Sequence, residues 1–134
     1  MTAPAERRSQ PAVSVVLPCY NEAATLVDLI HAIRARVPAA HEILVMDDNS
    51  PDGTAALAAR AFAGDPMVQV HVRTADRGLA RSILDGIRRA AGERVVVMDS
   101  DFNHDPDILD RLVRLSEQAD VVIGSRFCPG GVMA

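Results

Sequence analysis

An α/β domain built on a mainly parallel sheet flanked by helices is the fold this sequence predicts, and three observations predict it. Short Val-rich apolar runs recur along the chain, helical periodicities separate them, and several runs end in acidic or amide residues. Strands that alternate with helices imply right-handed crossovers, and therefore parallel neighbours with helices on both faces. At 134 residues, with 49% hydrophobic and 24% charged residues, the chain has the size of one globular domain with its own core.

Taken in order, residues 12 to 17 (AVSVVL) form the first strand, stopped by Pro18. Asn21 is a candidate cap for a helix over 22 to 37, in which Leu26, Leu29, Ile30 and Ile33 repeat at helical spacing before Pro38. Residues 42 to 46 (EILVM) give a second buried strand that releases Asp47, Asp48 and Asn49. Ser50 as cap and Pro51 as first helical residue predict a helix reaching about Ala63. A weaker, alternating strand over 67 to 72 suits a position near the sheet edge. A helix over 79 to 91 follows, with Leu79, Ile83, Ile87 and Ala90 on one face. Residues 95 to 98 (VVVM) are the fourth strand, 106 to 118 a helix, and 120 to 124 (DVVIG) a fifth strand. Residues 1 to 11 read as a loose leader, 12 to 127 as the domain, and 128 to 134 as a turn-like tail.

Composition excludes several classes of function. A net charge of −4 and the lack of a basic cluster beyond Arg7-Arg8 and Arg88-Arg89 argue against nucleic acid as a partner. All 14 basic residues are Arg, so chemistry that needs a lysine is excluded. Cys19 and Cys128 form neither a CxxC pair nor a disulfide framework, and read as a small core residue and a loop thiol. No run of about 18 apolar residues occurs, and the opening lacks the apolar stretch of a signal peptide. A cytoplasmic chain, peripheral at most to the inner face of the membrane, is expected.

The strand ends hold the chemistry, because open α/β sheets bind ligands beyond the carboxyl ends of their strands. Four loops meet on that rim: Pro18-Cys19-Tyr20-Asn21-Glu22, Asp47-Asp48-Asn49, Arg73, and Asp99-Ser100-Asp101, with Ser125-Arg126 after the fifth strand. Two aspartates two residues apart on a strand share a face about 6.6 Å apart, so Asp99 and Asp101 can grip a divalent cation or cap the following helix. Tyr20, the single tyrosine, offers a flat face for a base or is an ordinary loop aromatic. His104 lies near the carboxylates but also just ahead of a helix, where a structural role suffices; His31, His41 and His71 read as surface or helix-face residues. No glycine-rich dinucleotide turn and no GxxxxGK[ST] loop is present. A phosphatase of the haloacid dehalogenase type also ends a strand in DxD, but there the motif closes the first strand beside a lysine; here it closes the fourth and no lysine exists.

Pro18-Cys19-Tyr20-Asn21-Glu22, Met46-Asp47-Asp48-Asn49-Ser50-Pro51-Asp52, Gly78-Leu79 and Met98-Asp99-Ser100-Asp101, in this order, resemble the inverting family-two glycosyltransferases of the Rossmann-like GT-A fold. Asp101-Phe102-Asn103-His104-Asp105-Pro106 and Gly124-Ser125-Arg126-Phe127 resemble the polyprenyl (dolichol) phosphate mannosyltransferase branch, over about residues 13 to 127. The resemblance implies a nucleotide-sugar site drawn from Pro18, Tyr20, Glu22, Met46, Asp48, Arg73, Asp99, Ser100, Asp101 and Arg126. It implies a magnesium or manganese ion on Asp101, with Asp99 beside it and Asn103 where the branch usually carries Gln. Catalysis falls to Asp99, Asp101 and Arg126. The expected reaction moves mannose or glucose from GDP-mannose or a UDP-sugar to a lipid phosphate at the membrane surface. Chains of this branch continue past Phe127 toward the acceptor site, so a missing C-terminal segment or a membrane-anchored partner is expected to complete this one. The alternative is a non-catalytic nucleotide-sugar-binding module completed by a partner.

Overall fold

The computed structural model describes residues 10–131. The expectations for residues 1 to 9 and 132 to 134 lie outside the described residues. Four strands, β1 (Val13–Cys19), β2 (His41–Asp47), β3 (Val68–Val72) and β4 (Arg94–Val97), form one sheet in the order β3-β2-β1-β4. Every pairing is parallel. The central strands β1 and β2 are buried at every position, which is why their sequences are continuous apolar runs rather than alternating ones.

The two faces of the sheet are covered unequally. Val13, Val15 and Leu17 of β1 pack with Leu26, Leu29, Ile30 and Ile33 of α1 (Leu26–Arg36), with Ala58 of α2 (Thr54–Ala61) and with Leu109 of α4 (Leu109–Leu115). On the other face Val16, Leu44 and Met46 meet α3 (Leu79–Arg89). That helix can lie close because it presents Gly86 there: a Cβ at Gly86 would stand 2.4 Å from Val16 Cγ1 and 3.1 Å from Met46 Cγ. At the amino-terminal rim, Glu42 is 4% exposed yet accepts hydrogen bonds from Ser14 Oγ, the Ala91 amide and Gln69 Nε2. These bonds tie the turn before β4 to the centre of the sheet.

Several boundaries differ from the sequence reading. Pro18 does not stop β1, which runs on to Cys19; Pro18 sits opposite Met46 in the β2 register. Ser50 and Pro51 form a turn, and α2 starts at Thr54, whose amide donates to Asp52 Oδ1. Residues 22 to 25 form a turn ahead of α1, and Pro106–Ile108 is a 3-10 turn that leads into α4. His41 is buried rather than on the surface, with Nδ1 2.8 Å from the Ala39 carbonyl oxygen. The fifth strand does not form: residues 120 to 124 make no ladder, and Val121 and Ile123 are 76% and 79% exposed. A strand needs a partner at ladder distance, and this segment instead lines the far wall of a groove along β4. Among the described residues no helix is long and apolar enough to cross a membrane.

Candidate functional site

The carboxyl ends of β1, β2 and β4 and the amino end of α3 enclose a cavity of about 580 Å³. Pro18, Tyr20, Glu22, Asp48, Asp99, Ser100 and Asp101 line it, together with Cys19, Arg77, Gly78, Leu79 and Ser82. Main-chain geometry at this rim is unusual: Asn21, Asn49, Asp76 and Phe102 all take positive φ, at 57°, 60°, 49° and 64°. Asn and Asp tolerate that region, whereas Phe does so only under constraint.

Side chains of the β2–α2 loop hold the β1–α1 loop by its backbone. The amides of Asn21, Glu22 and Ala23 donate to Ser50 Oγ, Thr54 Oγ1 and Asp52 Oδ2 at 2.9, 3.0 and 3.1 Å. Asp47 is buried and accepts from the Ser50 amide and hydroxyl. Ser100, 2% exposed, donates its hydroxyl to the Pro18 carbonyl at 2.7 Å, while its own carbonyl accepts from Thr25 Oγ1 at 2.9 Å. The exits of β1 and β4 are thereby stitched together, and Tyr20 and Asp99 are held on one wall.

Asp48 is fully engaged by the protein. Its Oδ1 pairs with Arg73 Nη1, its Oδ2 accepts the Gly78 amide at 2.7 Å, and its carbonyl accepts Arg77 Nε at 2.9 Å. Arg73 lies buried behind Asp48, off the cavity, and also donates to Asp85 and to the Asp76 carbonyl. Met46 is likewise off the cavity, in the core on the α3 side, with its carbonyl accepting from Ser82 Oγ. Arg126 sits in an exposed turn over 125–131 and does not line the cavity.

The acidic wall is organised by its neighbours. Asn103 donates from its backbone to Asp101 Oδ1 at 3.0 Å and from Nδ2 to Asp101 Oδ2 at 2.6 Å. His104 Nδ1 accepts the Asp99 amide at 3.0 Å, which leaves the other ring nitrogen to carry the proton of the neutral ring, 3.6 Å from Asp99 Oδ2. Partial burial pushes the Glu22 carboxyl above its usual range; the Thr25 hydroxyl opposes this, and the charges of Asp101, Asp52 and Asp99 push it further up. Burial also pushes the Cys19 thiol up to about 12, so it is a packing group beneath the site and not a nucleophile.

Charge balance supports a cation here. Glu22, Asp99 and Asp101 face a cavity on which Arg77 is the one basic lining residue. Among the described residues no three His, Cys, Asp or Glu side chains are arranged to hold a metal alone. Magnesium and manganese suit such a site, because they commonly take one or two carboxylates and draw further ligands from phosphate oxygens and water.

Sequence reasoning passed over Arg77. Its guanidinium lies over one face of the Tyr20 ring, 5.3 Å from the centroid, and Tyr20 remains 51% exposed. The available signal was its place immediately before Gly78-Leu79, in the loop that follows β3 onto the same rim.

Comparison with known proteins agrees with this geometry. Residues 14–132 match the family described as "Glycosyl transferase family 2". An undecaprenyl-phosphate mannosyltransferase of Micrococcus luteus is 40% identical over 124 residues, covering 90% of this chain and 51% of the relative. A dolichol-phosphate mannosyltransferase of Pyrococcus furiosus is 38% identical over 121 residues, covering 89% of this chain and 34% of the relative. Among solved structures, a mannosyltransferase from Pyrobaculum calidifontis in complex with GDP-Man and Mn2+ superposes with a TM-score of 0.65 at 28% identity, over 81% of this chain and 33% of that one. Glucosyl-3-phosphoglycerate synthase from Mycobacterium tuberculosis, solved with Mn2+ and UDP, gives 0.61 at 30% identity, over 78% and 39%. The parallel sheet with flanking helices is the GT-A arrangement of these neighbours, and the chain spans a third to a half of the length of these relatives.

Proposed function

Because the chain belongs to glycosyl transferase family 2, we propose that its cavity binds a nucleoside-diphosphate sugar, GDP-mannose or a UDP-sugar, for inverting transfer of the sugar to a polyprenyl phosphate. The observation that carries this reading is the convergence of Tyr20, Arg77, Asp99 and Asp101 on one cavity at the strand ends. Tyr20 and Arg77 form a wall of the right chemistry for a base and a phosphate: an aromatic ring and a guanidinium with free N–H groups. Asp101, braced by Asn103, and Asp99, braced by His104, would hold the divalent ion, magnesium or manganese. Such an ion, when bound, supplies positive charge to the departing diphosphate. Arg126 stands outside the cavity, so the guanidinium that would meet the diphosphate within it is that of Arg77.

A lipid phosphate monoester is already largely ionised at neutral pH, its second pKa being near 6. It attacks without a general base, so the protein's task reduces to in-line positioning and electrostatic stabilisation. That the named relatives act on undecaprenyl and dolichyl phosphates supports this acceptor, which would be met at a membrane surface. The second reading, a donor-binding module completed by a partner, is favoured by the place of Arg126, which stands outside the cavity.

Calorimetry with GDP-mannose, UDP-glucose and UDP, with and without manganese, tests the proposal. Metal-dependent binding of one donor is expected; absence of such binding to all of them refutes both readings. Sugar transfer to a polyprenyl phosphate by the 134-residue chain alone then selects the enzyme over the module.

A further inference from the structure

Tyr20 is 51% exposed, so the backbone on either side of it, more than packing, sets where its ring stands in the cavity wall. Upstream, the Pro18 carbonyl accepts the Ser100 hydroxyl at 2.7 Å and the Cys19 carbonyl accepts the Asp48 amide at 3.0 Å. Downstream, the chain leaves β1, turns through Asn21 at a φ of 57°, and presents the amides of residues 21, 22 and 23, which belong to no ladder or helix. Each of these amides needs an acceptor.

All three acceptors are side chains of one short loop: Ser50 Oγ takes the Asn21 amide, Thr54 Oγ1 the Glu22 amide and Asp52 Oδ2 the Ala23 amide. The two hydroxyls are not free to turn, because each gives its own proton to a carboxylate, Ser50 to Asp47 Oδ1 and Thr54 to Asp52 Oδ1. A hydroxyl has one proton and two lone pairs, so once the proton is committed the lone pairs have a fixed direction for an incoming N–H. Asp52 stays the accepting anion. The Thr54 hydroxyl holds its carboxyl below the ordinary range, with desolvation opposing and the Ala23 and Thr54 amides adding to the effect. A loop that had only to start α2 would need one acceptor, and Asp52 Oδ1 supplies it on the Thr54 amide. The remaining acceptors point at the loop that carries Tyr20.

We propose that Thr54 and Asp52 are positioning residues for the nucleobase, which with Ser50 and Asp47 hold residues 21–23 so that the Tyr20 ring stands where a base stacks on it. The proposal rests on the nucleotide-sugar reading of the cavity and adds to it residues that touch no ligand: Asp47, Ser50, Asp52 and Thr54 do not line the cavity. The acidic wall has separate supports, Asn103 on Asp101 and His104 on Asp99. Loss of the Thr54 hydroxyl is therefore felt at the base and not at the diphosphate.

The chain has one tyrosine and no tryptophan, so its tyrosine emission reports Tyr20 alone. Calorimetry and this emission, corrected for absorption by the base, are read with GDP, UDP and pyrophosphate, each with manganese, for the native chain, Thr54→Val and Thr54→Ser. In the native chain a nucleoside diphosphate is expected to quench Tyr20 and pyrophosphate to leave it unchanged. Thr54→Val keeps the branched shape and removes the hydroxyl. It is expected to weaken the nucleotide about tenfold, the scale of one lost hydrogen bond, and to reduce the quenching at saturation, with pyrophosphate affinity unchanged. Thr54→Ser, which returns the hydroxyl, is expected to recover both. Ser50→Ala, which removes the acceptor of the Asn21 amide, carries the test should Thr54→Val fold poorly. Undiminished nucleotide binding and quenching in a folded variant, or an equal fall for nucleotide and pyrophosphate, would overturn the proposal alone. A native chain that binds neither GDP nor UDP would overturn the nucleotide reading and the proposal with it.

Discussion

Arg73 and Asp48, 25 residues apart in sequence, form a buried ion pair that fixes the loop between β3 and α3 against the end of β2. Their side chains are 8% and 11% exposed. With the other Asp48 oxygen on the Gly78 amide, the pair sets where Arg77, Gly78 and Leu79 stand in the cavity wall. Removing one partner of such a pair leaves the other charged and buried. Arg73→Met is therefore expected to lower stability by about 3–5 kcal/mol in urea denaturation, and the double variant Arg73→Met/Asp48→Asn to recover part of that loss.

Asp101 is the proposed metal ligand, and Asn103 grips both of its oxygens. Asp101→Ala should abolish the manganese dependence of donor binding in calorimetry, whereas Asn103→Ala should weaken it and leave it measurable. Intact metal dependence in Asp101→Ala would remove that role.

Arg77 is exposed and bridges the Asp48 carbonyl and the Tyr20 ring. Arg77→Gln is expected to reduce donor affinity about tenfold, the scale of one charged hydrogen bond, with little change in the urea midpoint. A large fall in stability with unchanged affinity would make it a structural residue instead.

Gly86 brings α3 into contact with the sheet. Alanine favours helix over glycine by about 1 kcal/mol, yet its Cβ would overlap the Val16 side chain. Gly86→Ala is therefore expected to destabilise by about 1–3 kcal/mol, and Val16→Ala in the same chain to relieve the overlap. Thermal melts of the two single variants and the double variant form the check.

Cys19 supplies the pH dependence that can be read with its sign. Its folded value of about 12 lies above the ordinary 9.0, so the native state holds the proton longer than the unfolded chain does. The stability it contributes is complete below pH 9.0 and declines as pH rises through about 12. Cys19→Ala should flatten that alkaline decline in urea midpoints. In the native protein at neutral pH a thiol reagent should label the exposed Cys128 and leave Cys19 untouched.

The sequence was legible where the determinants are local or periodic. Leu26, Leu29, Ile30 and Ile33 announced the buried face of α1, and unbroken apolar runs announced strands buried on both faces. Acidic strand ends announced the rim, and Pro18, Tyr20, Glu22, Asp48, Asp99, Ser100 and Asp101 do line one cavity. What stayed hidden depends on partners distant in sequence. Asp48 looks like a free carboxylate until Arg73 and the Gly78 amide are placed against it. Ser50 looks like a helix cap until its hydroxyl is found between Asp47 and the Asn21 amide. Residues 120–124 have the composition of a strand, but composition does not carry the neighbour that a ladder requires.

The positive φ values at Asn21, Asn49, Asp76 and Phe102 restrict how this rim can change. Val, Ile and Thr are sterically barred at all four positions, whatever they might offer a ligand, because the backbone itself excludes them. A mutagenic library aimed at altered sugar preference would therefore find a narrow tolerated alphabet at Asn21, Asn49 and Asp76, essentially Gly, Asn and Asp. Variation in specificity must come from the residues between these pivots: Tyr20, Glu22, Arg77 and Leu79, whose side chains meet the cavity without governing how its loops turn.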